Sequence, residues 1–201
     1  MKVVRVCTEP LSPILMDPMT EEVLDSLITG VSIQPKRDVP PAKIAASKIC
    51  RENGPNSQIG LPGSMLFSCL KKAGRYVKNG KDKISTAKTT TLPDFLTIQE
   101  CFLPFTNIPL GEKEKEFWKV DKRRANLWNK GSPTAICAVR PRFDHWEFAV
   151  TIEYDETKIN EGTLRTLLEK AGSTQGLGAF RPNCGGQFGR FRIKSWTPVL
   201  N

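Results

Sequence analysis

Six of the fifteen glycines in this chain lie between residues 172 and 189, directly before a segment with the alternating pattern of a β-strand. Glycine tolerates positive φ and lets another backbone segment approach closely, so this density predicts a tight, irregular loop. Such a loop can form a nest of N–H donors for a phosphate, or its glycines can only relieve crowding at a crossover. A nucleotide-hydrolysing site is disfavoured, because no Gly-Lys-Ser/Thr follows and the loop leads into a strand instead of a helix.

The segments around this glycine-rich loop have a legible order. Two runs rich in aromatic and β-branched residues, 134–143 and 145–154, predict strands joined by a turn at Asp144. A helix follows, with Leu164, Leu167 and Leu168 inward and Gly172 as its terminator. The loop is followed by a last predicted strand over 190–196. Near the start of the chain, polar and apolar residues alternate over 2–8, which predicts a strand buried on one face. The order of strands and helices predicts an α+β fold.

Two further helices are predicted in the first half of the chain. The first begins after Thr20 as its cap, with the apolar residues of 23–28 on one face. The second runs from Ser64, its predicted cap, with an apolar face toward the core. Its other face carries Lys71, Arg75 and Lys78 at helical spacing, which is typical either of a solvated face or of a cationic binding surface.

Positive charge is concentrated in two regions. The net charge is +9; residues 71–130 carry fourteen basic and seven acidic groups, and residues 170–201 carry five basic groups and no acid. Two cationic regions favour one polyanionic partner. In the second region, aromatic residues that can stack on single-stranded bases alternate with arginines. On a regular strand one face would carry Phe191, Ile193 and Ser195. The other face would carry Arg190, Arg192, Lys194 and Trp196.

Two segments carry a resemblance to a known family. The segment IGLPGSMLFSCLKKAGR resembles the proline turn and following helix of RAMP proteins, which are the RNA-binding subunits of CRISPR effector complexes. The segment GLGAFRPNCGGQFGRFRI resembles the C-terminal glycine-rich loop of the same proteins. Leu61 is an extra residue before Pro62, Gly63 and Ser64. The chain is also short for a full backbone subunit, so a solitary or phage-borne relative stands as an alternative to a subunit.

The resemblance implies an α+β, ferredoxin-like or RRM-like antiparallel sheet with helices on one face and an inserted basic hairpin, or thumb. Residues 1–78 and 131–201 would form the core and residues 79–130 the insertion. It also implies sequence-independent binding of single-stranded RNA, such as guide RNA, with CRISPR subunits or further copies of this chain as protein partners. The implied RNA-binding residues are Lys71, Arg75, Lys78, Lys81, Lys83, Lys88, Arg123, Arg124, Gly176, Gly178, Arg181, Gly185, Gly186, Gly189, Arg190 and Arg192.

Catalysis is not expected. His145, the only histidine, sits in a predicted turn beside Asp144, and Asp17 in the loop after the first strand matches no motif. A metal-independent endoribonuclease using His145 remains one alternative, and a protein-interaction module that inhibits a nucleoprotein complex by mimicry is another.

The six cysteines show no CxxC spacing, so they predict buried reduced thiols and neither a metal nor a cofactor. No apolar run is long enough for a membrane span, and a cytoplasmic location is expected.

Overall fold

The computed structural model describes residues 1–31, 38–129 and 132–199. Four α-helices are named here in chain order: α1 (Glu21–Thr29), α2 (Pro41–Ala46), α3 (Gly63–Ala73) and α4 (Glu161–Lys170). The strands are β1 (Lys2–Pro10), β2 (Ile14–Leu15), β3 (Gly60–Pro62), β4 (Lys78–Asn79), β5 (Asp82–Lys83), β6 (Leu96–Ile98), β7 (Phe102–Pro104), β8 (Trp118–Asn129), β9 (Ser132–Phe143), β10 (Ala149–Tyr154) and β11 (Phe191–Val199). No described helix is long and apolar enough to cross a bilayer.

The main sheet has four antiparallel strands in the order β11-β1-β10-β6. Along the chain these strands alternate with the two longer helices as β1, α3, β6, β10, α4, β11. Each half is therefore a strand–helix–strand crossover, and the two halves interleave so that β1 and β10 lie at the centre. This is the ferredoxin-like arrangement, and it confirms the predicted α+β class.

One face of this sheet is covered by α3, α4 and an aromatic cluster. The apolar stripe of α3 is buried as predicted, and α4 buries its leucines. Asn160 caps α4 by accepting a hydrogen bond from the Thr163 N–H at 2.8 Å. Trp146 lies fully buried with its ring 6.1 Å from Phe148 and 6.3 Å from Phe191, and its Nε1–H donates to the Ser12 carbonyl. Aromatic packing thus fixes the end of the sheet where β10 and β11 begin.

The predicted start of α1 is confirmed, whereas the predicted start of α3 needs correction. The N-cap of α3 is Pro62, so Ser64 is a residue of the helix and not its cap. Thr20 does occupy the N-cap of α1, but its side chain makes no capping hydrogen bond. The apolar residues of α1 are not buried either, and Leu27 is 68% exposed. Periodicity located these helices but did not show what covers their faces.

Gly172 does not terminate the last helix. The chain continues from α4 through a π-helical turn over Ala171–Gln175, and the turn ends at Gly176 with φ +70°. A Cβ at Gly172 would lie 2.1 Å from the Phe191 carbonyl oxygen. This glycine is therefore required by the close passage of β11 over the helix end, and not by a helix stop.

A long two-stranded hairpin, β8–β9, projects from the core. Its strands pair in continuous antiparallel register from Trp118↔Phe143 to Asn129↔Ser132, over twelve residues each, or about 40 Å.

The main sheet and the hairpin each take strands from more than one of the three predicted parts of the chain. The range 79–130 contains β6 of the main sheet, and β9 lies within 131–201; residues 130 and 131 themselves are outside the described residues. The three-part division stays a prediction.

A β-bulge changes the two faces of β11. The register with β1 passes from Thr8↔Ile193 to Cys7↔Ser195, which leaves Lys194 unpaired. Beyond the bulge, Trp196 pairs with buried Val6 and packs against the core. The prediction that Trp196 shares a face with the cations of β11 was wrong, because strict alternation holds only within an uninterrupted ladder.

Candidate nucleic-acid interface

A cavity of about 320 Å³ lies between α3 and the glycine-rich loop. From α3, Ser64, Ser68 and Lys72 line it at i, i+4 and i+8, so they form one polar stripe beside the buried face of the helix. From the loop, Gly176, Gly178 and Arg181 close the other wall, and we call this whole site the groove. A smaller cavity of about 230 Å³, which contains Asp17, continues past Arg181. Arg181 therefore lines both cavities.

The groove is electropositive. None of the described residues that line its larger cavity is acidic. Arg181 donates one hydrogen bond to the Gly178 carbonyl at 2.5 Å, which fixes its guanidinium while leaving further N–H donors. Burial raises the pKa of the Cys69 thiol at the groove floor to about 12, and the charges of Arg181 and Lys72 oppose this rise. Both cations thus act on the same small space.

Two sets of backbone amides add to this field. α3 begins at the groove with no side-chain cap, so the positive end of its dipole is available there. In the loop, the N–H groups of Gly178, Phe180 and Arg181 have no acceptor among the described residues. Backbone donors of this kind bind phosphate oxygens without regard to the attached base.

The loop glycines are required for different reasons at different positions. A Cβ at Gly186 would lie 1.8 Å from the Phe180 carbonyl oxygen, and at Gly189 it would lie 1.8 Å from the Leu177 carbonyl oxygen. Gly178 has φ +74° and approaches the Leu15 carbonyl, whereas Gly185 has φ +75° and open space around it. Most of these glycines are therefore explained by internal packing, and the alternative that they relieve crowding holds at Gly178, Gly186 and Gly189.

Arginines of the hairpin cover the aromatic rings of the loop. The guanidinium of Arg123 lies 4.5 Å from the ring centroid of Phe188, and that of Arg140 lies 4.9 Å from the ring centroid of Phe180. Arg123 also donates to both carboxylate oxygens of Asp121. These rings consequently hold the base of the hairpin against the loop by cation–π contacts and are not free platforms for bases. Arg124, on the opposite face of β8, is exposed.

The open face of the main sheet is neutralised by ion pairs. Arg5 donates to Glu100 at 2.8 Å, Arg192 to Glu9 at 2.5 Å and Lys194 to Glu147 at 2.9 Å. Hydrogen bonding to Glu147 raises the pKa of Lys194. Arg192 is thus paired, whereas Arg190 is exposed and has no side-chain partner among the described residues. Among the described residues, this face lacks the free aromatic and cationic groups of an RRM-like RNA surface.

The predicted cations do not meet at one surface. Lys78 and Lys83 belong to the β4–β5 turn, where Asn79 donates to the Lys158 carbonyl just beyond the end of β10. The glycine-rich loop lies at the other end of the sheet, where Gly189 donates to the Pro13 carbonyl just beyond the end of β1. We call the former region the cationic end; it comprises Lys71, Arg75, Lys78, Lys81, Lys83 and Lys88. Of the predicted insertion, Arg123 contacts the loop, but the lysines of residues 78–88 do not lie beside it.

The two candidate catalytic residues lie in different surroundings. Asp17 is held by Lys48 at 2.8 Å and by Arg140 at 2.6 Å. His145 is exposed, and its ring has no hydrogen-bond partner among the described residues. Burial would raise the pKa of neighbouring Asp144, but hydrogen bonds from Lys119 and Arg142 outweigh it and lower that pKa. Absence of catalysis stays a prediction, which activity assays of a His145→Ala variant would address.

The cysteines are all unpaired, but they are less buried than predicted. Cys69 is buried and Cys7 and Cys50 are half-buried, whereas the other three, Cys101, Cys137 and Cys184, are exposed. The latter lie on a strand end, the hairpin and the glycine-rich loop, where no packed layer covers them. Within the described ranges no three potential metal ligands come together.

Sequence reasoning missed Ser64, Ser68 and Lys72. Their i, i+4, i+8 spacing was readable as a polar stripe next to the apolar face of α3. The stripe was hidden by the more conspicuous set Lys71, Arg75 and Lys78, which projects elsewhere. Only the packing of the loop against α3 shows which stripe faces the groove.

No family model matches this chain, and no curated protein matches it. Among solved structures it is similar to a chain in a cryo-EM structure of the Type III-B Cmr-beta bound to cognate target RNA, with 14% sequence identity and a TM-score of 0.48. The similarity covers 98% of this chain and 60% of that chain. The chain therefore spans less than two thirds of the length of this structural neighbour.

Proposed function

We propose that this protein binds single-stranded RNA through its phosphates, without reading the sequence, in the groove between α3 and the glycine-rich loop. The observation that carries the proposal is that Lys72 and Arg181 line one cavity whose described lining contains no carboxylate. A cavity with two cations and no carboxylate in its described lining favours an anion, and phosphates of an RNA chain can occupy it.

The composition of the groove supports backbone contacts over base recognition. Its donors are a guanidinium, an ammonium, two serine hydroxyls and backbone amides, which are the groups that contact phosphate and sugar in nucleic-acid complexes. Ser64 and Ser68 both donate and accept, which suits a ribose 2′-hydroxyl and favours RNA over DNA. The floor, formed by Met65, Cys69 and Leu177, offers no polar pattern that matches one base edge.

The sequence resemblance to RAMP proteins extends the proposal to a biological ligand and to partners. Guide RNA of a CRISPR effector complex is the proposed ligand, with subunits of that complex or further copies of this chain as neighbours. Sequencing of RNA that co-purifies at low salt from cells carrying such a complex tests this extension. We expect guide-derived reads, and random cellular RNA would contradict the extension while leaving the binding mode intact.

The groove itself is tested by a Lys72→Ala/Arg181→Ala double variant. We expect its affinity for a single-stranded oligouridylate to fall at least about tenfold, with the slope of log affinity against log salt reduced by about 1.4, since two phosphate contacts are lost. Fluorescence anisotropy over a salt series measures both quantities.

The matched control is Arg165→Ala/Lys170→Ala, which removes two positive charges from α4, where Arg165 is exposed and paired with Glu169. This control should retain nearly full affinity, and circular dichroism should show both variants folded. Equal weakening in the two double variants would mean that net charge alone drives binding, which would contradict a site in the groove.

A further inference from the structure

The cationic end has a concentration of unpaired positive charge. Its six cations lie within eighteen consecutive residues, and none forms an ion pair or side-chain hydrogen bond with any described residue. On the open sheet face, by contrast, Arg5, Arg192 and Lys194 are each matched by a carboxylate. Charge is therefore balanced across the sheet and left unbalanced at the end of α3.

Local structure does not account for this imbalance. The negative end of the α3 dipole favours a cation at Lys71, in its last turn, but it does not extend to the β4–β5 turn. In that turn Lys78 stands directly opposite Lys83, and like charges at a direct cross-strand position destabilise the pair. Asp82, between Lys81 and Lys83 in sequence, is the one acid in this segment. The folded chain thus retains a repulsion that an anionic ligand would relieve.

An exposed aromatic ring indicates the class of ligand. Tyr76 follows α3, is 68% exposed and is flanked in sequence by Arg75 and by Lys78 two residues on. A tyrosine ring among unpaired cations offers stacking together with phosphate neutralisation, the two interactions that hold single-stranded nucleic acid. An acidic peptide would use the charges and leave the ring without a function.

We propose that the cationic end is a second binding site for single-stranded nucleic acid, separate from the groove. The separation follows from topology, because the β4–β5 turn lies where β10 ends and the glycine-rich loop lies where β1 ends, at opposite ends of the sheet. The site does not depend on the proposed function of the groove. A strand long enough to follow α3 would occupy both sites, and short strands would occupy them independently.

A stoichiometry experiment with a six-nucleotide oligouridylate tests this proposal in the full chain. We expect the unchanged protein to bind two oligonucleotides at saturation, and the Tyr76→Ala/Lys78→Ala/Lys83→Ala variant to bind one. The substituted side chains are exposed, so folding should be retained. Lys113→Ala/Lys115→Ala, which also removes exposed lysines outside both sites, is the control and should still bind two.

The outcomes separate the two sites. Two oligonucleotides bound by the triple variant would overturn the second site. Loss of one by the triple variant, with no loss in the Lys72→Ala/Arg181→Ala variant, would support the second site and contradict the groove. Tighter binding of polyglutamate than of oligouridylate at the cationic end, unaffected by Tyr76→Ala alone, would overturn nucleic acid as its ligand.

Discussion

The glycines of the glycine-rich loop differ in the backbone conformation and the close contacts that require them. Gly189 has φ +70°, and the Leu177 carbonyl oxygen occupies the position that a Cβ would take. Two independent constraints therefore exclude a larger residue. Gly185 has the same left-handed φ but no atom within 4 Å of an added Cβ. The number of glycines in this short segment predicted a tight loop. It could not assign a reason to each glycine, because the atoms that approach them come from distant segments.

A pair of alanine substitutions distinguishes these reasons. We expect Gly185→Ala to lower the free energy of unfolding by about 1 kcal/mol, the cost of a left-handed alanine. Gly189→Ala should lower it by about 3 kcal/mol or more, because a clash with the backbone is added to the strained φ. Chemical denaturation of both variants provides the measurement, and equal losses would contradict the close approach at Gly189.

At the scale of elements, the hairpin and the loop stabilise each other through rings and guanidinium groups. Phe188 is almost fully buried beneath Arg123 and Arg142, whose guanidinium carbons lie 4.5 and 6.0 Å from its ring centroid. Arg142 is further held by Asp144 at 2.6 Å. These contacts add to the pairing of β2 with β9 and to the buried side chain of Phe143, which also hold the base of the hairpin.

Replacing the ring tests this coupling between elements. Phe188→Leu keeps an apolar side chain but removes the cation–π contacts, so we expect local opening of the hairpin base to become easier by about 0.5–2 kcal/mol. Amide hydrogen exchange of residues 118–124 and 138–143 reports this opening directly. Phe188→Tyr retains the ring and should exchange like the unchanged chain; faster exchange in it would indicate a packing defect and not a cation–π effect.

For the whole molecule, the distribution of charge decides which surfaces are free to bind an anion. The ferredoxin-like sheet has an open face, but its cations are matched by Glu9, Glu100 and Glu147. Among the described residues, unpaired cations lie in the groove, at Arg190 and at the cationic end, and also at exposed positions such as Lys113, Lys115 and Arg124. The ion pairs therefore make the open sheet face a poor anion site, which is why the proposed RNA sites lie elsewhere.

A sheet-face variant makes this conclusion measurable. Arg5→Ala/Arg192→Ala removes two cations that already have carboxylate partners, so we expect the affinity for single-stranded RNA to change less than about twofold. Anisotropy titrations at the salt concentrations used for the groove variants give the comparison. A tenfold loss would show that the paired arginines exchange their carboxylates for phosphates, and that the open face takes part in binding.

The sequence by itself determined the local elements and the two cationic regions, because helical and strand periodicity and charge are properties of neighbouring residues. It indicated α3, α4, β1 and the strand order of the last seventy residues well enough to suggest the α+β class. Only the tertiary structure decided that β9 pairs with β8 and not with β10, that a bulge turns Trp196 inward, and that Lys72, not Lys71, faces Arg181. Each of these depends on contacts between residues far apart in the chain, where local periodicity carries no information.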